Sequence, residues 1–208
     1  MPENCECATT SMRATTPTST PALPLRPEGG DDQVVLLDLN GTPSGTADRA
    51  GVHNSTTPLH LAFSCYLFDA RGRVLLTRRA LAKATWPGVW TNTCCGHPRP
   101  GESPRAAVQR RLQEELGVAG IALRMALPHF SYRAVDDSGI VENEICPVWV
   151  GRVEGRLAPD PAEVIATTWV DWIDLVTLAR TAPALLSPWS VLQIPQLAAL
   201  DAQEEVLP

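Results

Sequence analysis

Between Cys94 and Val118 the chain sets thiols, an imidazole, glycines, guanidinium groups and carboxylates at short, fixed spacings. Cys95, Gly96 and His97 open a glycine-rich loop, and Arg110, Arg111, Glu114 and Glu115 follow it. A thiol and an imidazole two residues apart, followed by oxygen ligands and phosphate donors, suit a metal-assisted site acting on a diphosphate. Farther along stand Glu142 and Glu144. On a strand both would face the same way, about 7 Å apart. Ile140, Val141, Ile145 and Val148 flank them, and two like charges among apolar neighbours repel unless a cation lies between them. A solvated edge strand is the plainer alternative for that pair alone. The chain has four histidines, His53, His60, His97 and His129. Spacing does not choose among them as ligands, although His60 sits least comfortably in its apolar run, Leu59–Phe63.

Stepping from side chains to elements, Ser103 is an N-cap residue and Pro104 suits the first helical turn. Val108, Leu112 and Leu116 lie four apart and make one buried stripe. Gly117 is a natural stop, so the spacing predicts a helix over 104–116. Arg110 and Glu114 share a face, as do Arg111 and Glu115. Ordinary salt bridging explains both pairs without chemistry, though Arg before Glu is the weaker order. Gln33–Leu39 reads as a strand leading into a glycine-containing turn. Leu59–Phe68 and Val74–Arg78 read as a hairpin across Asp69–Gly72. Trp90–Cys95 reads as extended. Ile121–Leu127, Phe130–Val135, Val141–Val150 and Ala166–Trp172 are further strands, with helices from near Asp171 and near Ser190. Strands on both sides of a central helix predict an α+β or mixed α/β sandwich, not a doubly wound sheet.

The 208 residues suit one domain with a sizeable core. Residues 1–30, rich in Thr, Ser and Pro, read as a disordered tail, and 31–208 as the folded domain. The net charge of −6 makes nucleic acid or an anionic membrane an unexpected partner, so an anionic ligand needs a local basic cluster. No apolar run approaches the roughly 20 residues of a membrane span. The six cysteines, Cys5, Cys7, Cys65, Cys94, Cys95 and Cys146, contain no CxxC pair. A reduced, cytoplasmic protein is expected, and a monomer.

The helical stretch resembles the Nudix box, G-x5-E-x7-R-E-U-x-E-E-x-G-U. Gly96, Glu102, Arg110, Leu112, Glu114, Glu115, Gly117 and Val118 fit; Arg111 stands where that family has Glu. The exchange removes a hard oxygen ligand and adds a phosphate donor, which favours holding a diphosphate over cutting it. A wider set of motifs occurs in order: His60–Ser64, Arg78–Lys83, Trp86–Asn92, Cys95–Pro98, Tyr132–Ala134, Gly139–Glu144 and Ser187–Trp189. Together, over about residues 33 to 195, they resemble the type I isopentenyl-diphosphate isomerases, non-hydrolysing members of the Nudix superfamily. The fold implied is a Nudix-type mixed-sheet α/β/α sandwich.

The resemblance implies that His53, His60, His97, Glu142 and Glu144 bind one divalent ion. Such a nitrogen-rich set suits Zn²⁺, Mn²⁺ or Fe²⁺ better than Mg²⁺. A second ion, Mg²⁺, would bridge Glu115 and the substrate diphosphate. Arg49, Arg79, Lys83 and Arg111 are the implied diphosphate contacts, Arg49 standing where the family often has Lys. Alternation sends Arg78 and Arg79 to opposite faces, so one of them enters the pocket. The reaction implied moves a double bond of a small isoprenoid diphosphate by one carbon, through protonation to a tertiary carbocation and loss of a neighbouring proton. Cys95 and Glu144 would transfer the protons, Glu144 through Tyr132, and Trp189 would face the cation. A free thiol with a pKa near 8.5 has both states within reach of neutrality. Only one of Cys94 and Cys95 can face the pocket, and the motif selects Cys95. Trp86 and Trp90 read as structural walls. The alternatives are a Nudix hydrolase of a diphosphate-containing substrate and a zinc-stabilised module without activity.

Overall fold

The computed structural model describes residues 32–204 and residue 208; the expected tail, with Cys5 and Cys7, lies outside them. In chain order the elements are β1 (Gln33–Leu37), β2 (Pro43–Asp48), α1 (Arg49–Val52), β3 (His60–Leu61), β4 (Phe63–Phe68), β5 (Arg73–Arg79), β6 (Trp90–Thr91), β7 (Cys94–Gly96), α2 (Pro104–Leu116), β8 (Leu123–Leu127), β9 (Ser131–Val135), β10 (Val141–Ile145), β11 (Val148–Arg152), β12 (Val164–Asp171), α3 (Trp172–Thr181) and α4 (Pro188–Glu204). A five-stranded sheet runs β2-β1-β3-β10-β9. A seven-stranded sheet runs β12-β5-β4-β11-β8, with β6 on β5 and β7 on β4.

β4 is buried along its whole length because helices cover both faces of its sheet. Tyr66 and Phe68 face a core shared with Leu175 of α3 and with Ile194 and Leu197 of α4. Cys65 and Leu67 face the opposite core, filled by Val108, Leu112 and Leu116 of α2. This is the mixed-sheet α/β/α sandwich the sequence predicts.

α2 spans the expected residues for the expected reasons. The Ser103 side chain accepts a hydrogen bond from the Ala106 amide, Pro104 is the first helical residue, and Gly117 closes the helix at φ 68°. A side chain at Gly117 would also meet Ala158 at 2.9 Å. Gly96 lets α2 press onto β7: a Cβ there would come within 3.0 Å of Arg111 and 3.1 Å of Phe63.

Two expected strands are each cut in two. Leu59–Phe68 becomes β3 in one sheet and β4 in the other, with Ala62 at the crossing. Val141–Val150 becomes β10 and β11, parted by Cys146 and Pro147. Pro147 has no amide hydrogen to donate, so it sits at the break rather than within a ladder. The two segments cross side by side: Ala62 N donates to Ile145 O (2.9 Å) and Ser64 N to Pro147 O (3.1 Å). The β4–β5 hairpin also opens beyond Phe68 and Val74, and residues Trp90–Gly96 enter the gap. β2, mostly exposed, offers no apolar alternation and is a strand that the sequence pattern does not announce.

Candidate active site

β3 and β10 run parallel with His60 opposite Glu144. His97 follows β7, which pairs with β4, and His53 ends α1. Ligand atoms of His53, His60, His97 and Glu144 all lie within 4.8 Å of one another. His60 Nε2 is 3.2 Å from His97 Nε2. Glu144 Oε1 is 3.1 Å from His97 Nε2 and 3.5 Å from His60 Nε2. His60 Nδ1 faces the Pro58 carbonyl at 2.9 Å, which places the proton there and leaves the Nε2 lone pair for the cluster.

Glu142 stands beside this set. Its Oε2 is 3.0 Å from His53 Nε2. Both atoms are buried, and neither makes a hydrogen bond among the described residues. Three imidazoles and the Glu144 carboxylate converging on one point, with buried lone pairs of His53 and Glu142 beside it, fit a divalent cation. The electrostatics divides the four groups: His97 and Glu144 are held in the form that ligates a metal, His60 and Glu142 are drawn toward the protonated form. Burial pushes the His97 pKa down to about 4, so its ring is neutral. Burial also opposes protonation of His60, but its hydrogen bond to Glu144 carries the pKa up. Burial raises the pKa of Glu142, with the Glu144 charge adding to it. Burial pulls Glu144 the same way, yet its bonds to His60 and His97 hold it well below the usual range. His129 is exposed and outside the cluster.

A cavity of about 290 Å³ opens beside the cluster, lined by Cys95, Tyr132, Glu142, Glu144 and Trp189. Cys95 comes from β7 of the seven-stranded sheet; Tyr132 and Glu144 are register partners on β9 and β10 of the other. Cys94 points away, into the core beneath α2. Burial pushes the Cys95 pKa up to about 11, so the thiol rests protonated rather than poised between two states. Burial raises Tyr132 well above the usual phenol range. Trp189, the second residue of α4, packs edge-on against Trp86 (5.5 Å between centroids) and tilted against Tyr132 (5.8 Å).

Arg49, Arg79, Lys83 and Arg111 line the same cavity. Arg78 instead turns away and donates to the Gly88 carbonyl at 2.8 Å. Arg79 donates through Nε and Nη2 to the Thr85 carbonyl and lies 5.5 Å from the Trp189 ring centre. Arg49 pairs with Asp32, and Lys83 with Glu163. Arg111 pairs with Glu114, Glu115 and Glu163. Glu115 is buried against Arg111, whereas Glu114 lines the cavity. Arg110 ties α2 to the preceding loop through Glu102 (2.8 Å) and the His97 carbonyl (3.2 Å), so this arginine has an architectural task.

Some residues of the site were not anticipated. Thr85 Oγ1 donates to Glu142 Oε1 at 2.8 Å. Asn92, fully buried, accepts hydrogen bonds from the Cys95 thiol (3.1 Å) and the Trp189 indole (2.9 Å). Arg99 also lines the cavity. A lone Thr or Asn carries no periodic signal, although Asn92 ends the Trp86–Asn92 motif; Arg99, three residues past Gly96, stands beside the glycine-rich loop as a phosphate donor would.

The Nudix domain family matches residues 58–190. An isopentenyl-diphosphate Delta-isomerase of Frankia alni is 60% identical over 164 residues, covering 79% of this chain and 84% of that protein. One of Paenarthrobacter aurescens is 55% identical over 171 residues, covering 82% and 93%. A crystal structure of a Deinococcus radiodurans protein superposes with a TM-score of 0.63 at 17% identity, covering 80% of this chain and 99% of that one. A MutT protein of Methanosarcina mazei gives 0.57 at 18% identity, covering 70% and 97%. At such identities these structures speak for the fold alone.

Proposed function

Because the chain belongs to the Nudix superfamily and, within it, to the isopentenyl-diphosphate Delta-isomerases, we propose that it interconverts isopentenyl and dimethylallyl diphosphate. The observation that supports this most is the placement of its proton-transfer groups. Cys95 enters the cavity from one sheet, and Tyr132 with Glu144 from the other. An olefin held between them meets an acid on one side and a base on the other.

An allylic C–H is too weak an acid for direct removal by a side chain. Adding a proton to the double bond first makes a tertiary carbocation, whose neighbouring C–H is readily lost. One proton enters on one side, another leaves on the opposite side, and the C=C electrons shift by one carbon. Cys95 and Glu144, the latter through the Tyr132 hydroxyl, are the two transfer groups, and their roles exchange in the reverse direction. The Trp189 ring offers its π face to the cation, a contact worth about 2 kcal/mol when water is excluded. Arg49, Arg79, Lys83 and Arg111 hold the diphosphate by charge-assisted hydrogen bonds. With Arg111 in place of a box carboxylate, α2 binds the head group instead of gathering the ions that hydrolysis needs.

His53, His60, His97, Glu142 and Glu144 would hold a Zn²⁺, Mn²⁺ or Fe²⁺ ion, which would fix Glu144 and lower its affinity for a proton. Mg²⁺ would accompany the diphosphate near Glu115. No helix among the described residues is long and apolar enough to cross a membrane. A monomeric, cytoplasmic enzyme with one Nudix isomerase domain over 31–208 completes the reading.

Incubation of the protein with Mg²⁺, Mn²⁺ and isopentenyl diphosphate in D₂O tests it. Deuterated dimethylallyl diphosphate without phosphate release is expected. Phosphate release would establish the hydrolase alternative, and an inert, folded, metal-loaded protein would remove the isomerase reading.

A further inference from the structure

We propose that Asn92 is a positioning residue whose single side-chain oxygen aligns the Cys95 thiol and the Trp189 ring at once. The proposal rests on the isomerase reading and adds to it a residue outside the reacting groups. Asn92 sits where the β4–β5 hairpin has opened, between β6 and β7, with no exposed surface. Its Nδ2 donates to the Cys65 carbonyl (3.0 Å) and the Cys94 carbonyl (2.8 Å). Those acceptors have no hydrogen to offer, and the Trp189 indole facing Oδ1 has only a hydrogen to give. The orientation of the carboxamide is therefore determined by its surroundings.

Four donors reach the two lone pairs of Oδ1: the Trp189 Nε1–H at 2.9 Å, the Cys95 thiol at 3.1 Å, the Thr91 hydroxyl at 2.8 Å and the Ser190 hydroxyl at 3.4 Å. Thr91 also meets Ser187 Oγ and the thiol also meets Ser64 Oγ, whereas the indole has Oδ1 alone. The Asn92 backbone amide donates to Ser190 Oγ at 3.1 Å, which fastens β6 and β7 to the first turn of α4. One buried atom thus links the strand bearing the thiol to the helix bearing the ring. A proton donor that must meet one carbon, and a π face that must meet the cation next to it, need a fixed relation to each other. Small misplacements at such a centre cost on the order of 10²-fold in rate. None of the diphosphate contacts is hydrogen-bonded to Asn92, and only Arg79 reaches it indirectly, through the Trp189 ring 5.5 Å away, so ground-state binding should change far less than the chemical step.

The test compares wild type with Asn92→Ala and Asn92→Asp, the latter keeping an oxygen at the Oδ1 position. Asn92→Ala is expected to lower kcat on the order of 10²-fold with KM held. Affinity for a diphosphate bearing a tertiary ammonium in place of the cationic carbon should fall with kcat/KM, because that probe depends on the ring. Asn92→Asp should restore part of both as pH is lowered and the buried carboxyl, once protonated, donates to the Cys65 or Cys94 carbonyl. The indole N–H NMR signal of Trp189, assigned by its absence in Trp189→Phe, should shift in Asn92→Ala. That readout stands even if the wild type is inert in the D₂O assay, so the two proposals fail separately. Unchanged kcat and an unshifted indole signal in folded Asn92→Ala would overturn the inference. So would equal losses of substrate and ammonium-probe binding, or a folded Asn92→Asp as impaired as Asn92→Ala even at low pH, where its carboxyl is protonated. Should Asn92→Ala not fold, Asn92→Asp decides alone: its kcat relative to wild type should rise as pH falls and the carboxyl becomes neutral, and a ratio that does not change with pH overturns the inference.

Discussion

His60 and Glu144 are register partners on parallel strands, and their side chains meet at 3.5 Å. The residues are far apart in sequence, yet both precede a crossing from one sheet to the other. That shared crossing sets His60 beside Glu144, and His53 from the end of α1 and His97 from the end of β7 complete the group.

A cation at this point stabilises the folded state by mass action. Stripping the protein with a chelator is expected to lower Tm by several degrees, and Mn²⁺ or Zn²⁺ should restore it. The chelator effect should vanish in His60→Ala. A stripped protein that melts at the same temperature as the loaded one would remove the site.

Cys95→Ser is expected to lower kcat by about 10²- to 10⁴-fold with the fold retained, the usual scale for losing a positioned proton-transfer group. Cys94→Ser places a hydroxyl in the apolar core beneath α2, so it should cost about 1–3 kcal/mol of stability while leaving kcat in place. Denaturant curves and steady-state rates on both variants distinguish them; equal kinetic losses would contradict the choice of thiol.

Arg111→Ala should raise KM roughly 10- to 100-fold, the value of one charge-assisted contact, with a smaller change in kcat. Phosphate should remain unreleased. Initial rates across a range of isopentenyl diphosphate concentrations give the answer.

Burial, with the neighbouring Arg79, Arg111 and Arg49 charges, lowers the Lys83 pKa to about 8, although Glu115 opposes the shift. The charged form that grips phosphate is therefore lost as pH rises through about 8. A falling limb of kcat/KM is expected there, and Lys83→Arg should move it to higher pH. The stability sign is opposite: between about 8 and an unfolded lysine's roughly 10.4, the unfolded chain binds more protons, so stability rises with pH across that window. A falling limb that stays in place in Lys83→Arg would exclude Lys83 from the clamp.

The helix α2 was legible because Ser103, Pro104 and Gly117 each act locally, through a cap, a fixed φ and a positive φ. Glu142 and Glu144 were legible as a pair because strand alternation is also local. The breaks after Leu61 and Ile145 were not, since the apolar runs continue through them and only tertiary pairing assigns their halves to different sheets. Choosing His53, His60 and His97 over His129 needed the family resemblance, because no spacing brings β3, β7 and α1 together. Asn92 belongs to the Trp86–Asn92 motif, but its role was not legible for the same reason: its partners come from β4, β7 and α4.

Both segments that cross between the sheets, through Ala62 and through Cys146–Pro147, are continuous chain and are hydrogen-bonded to each other. They act as paired covalent rivets. The layers holding Cys95 and Glu144 cannot part like the halves of a shell without tearing that seam. Traffic of reactant and product must instead pass the cavity rim, where Lys83 and Ala84 lie outside any strand or helix.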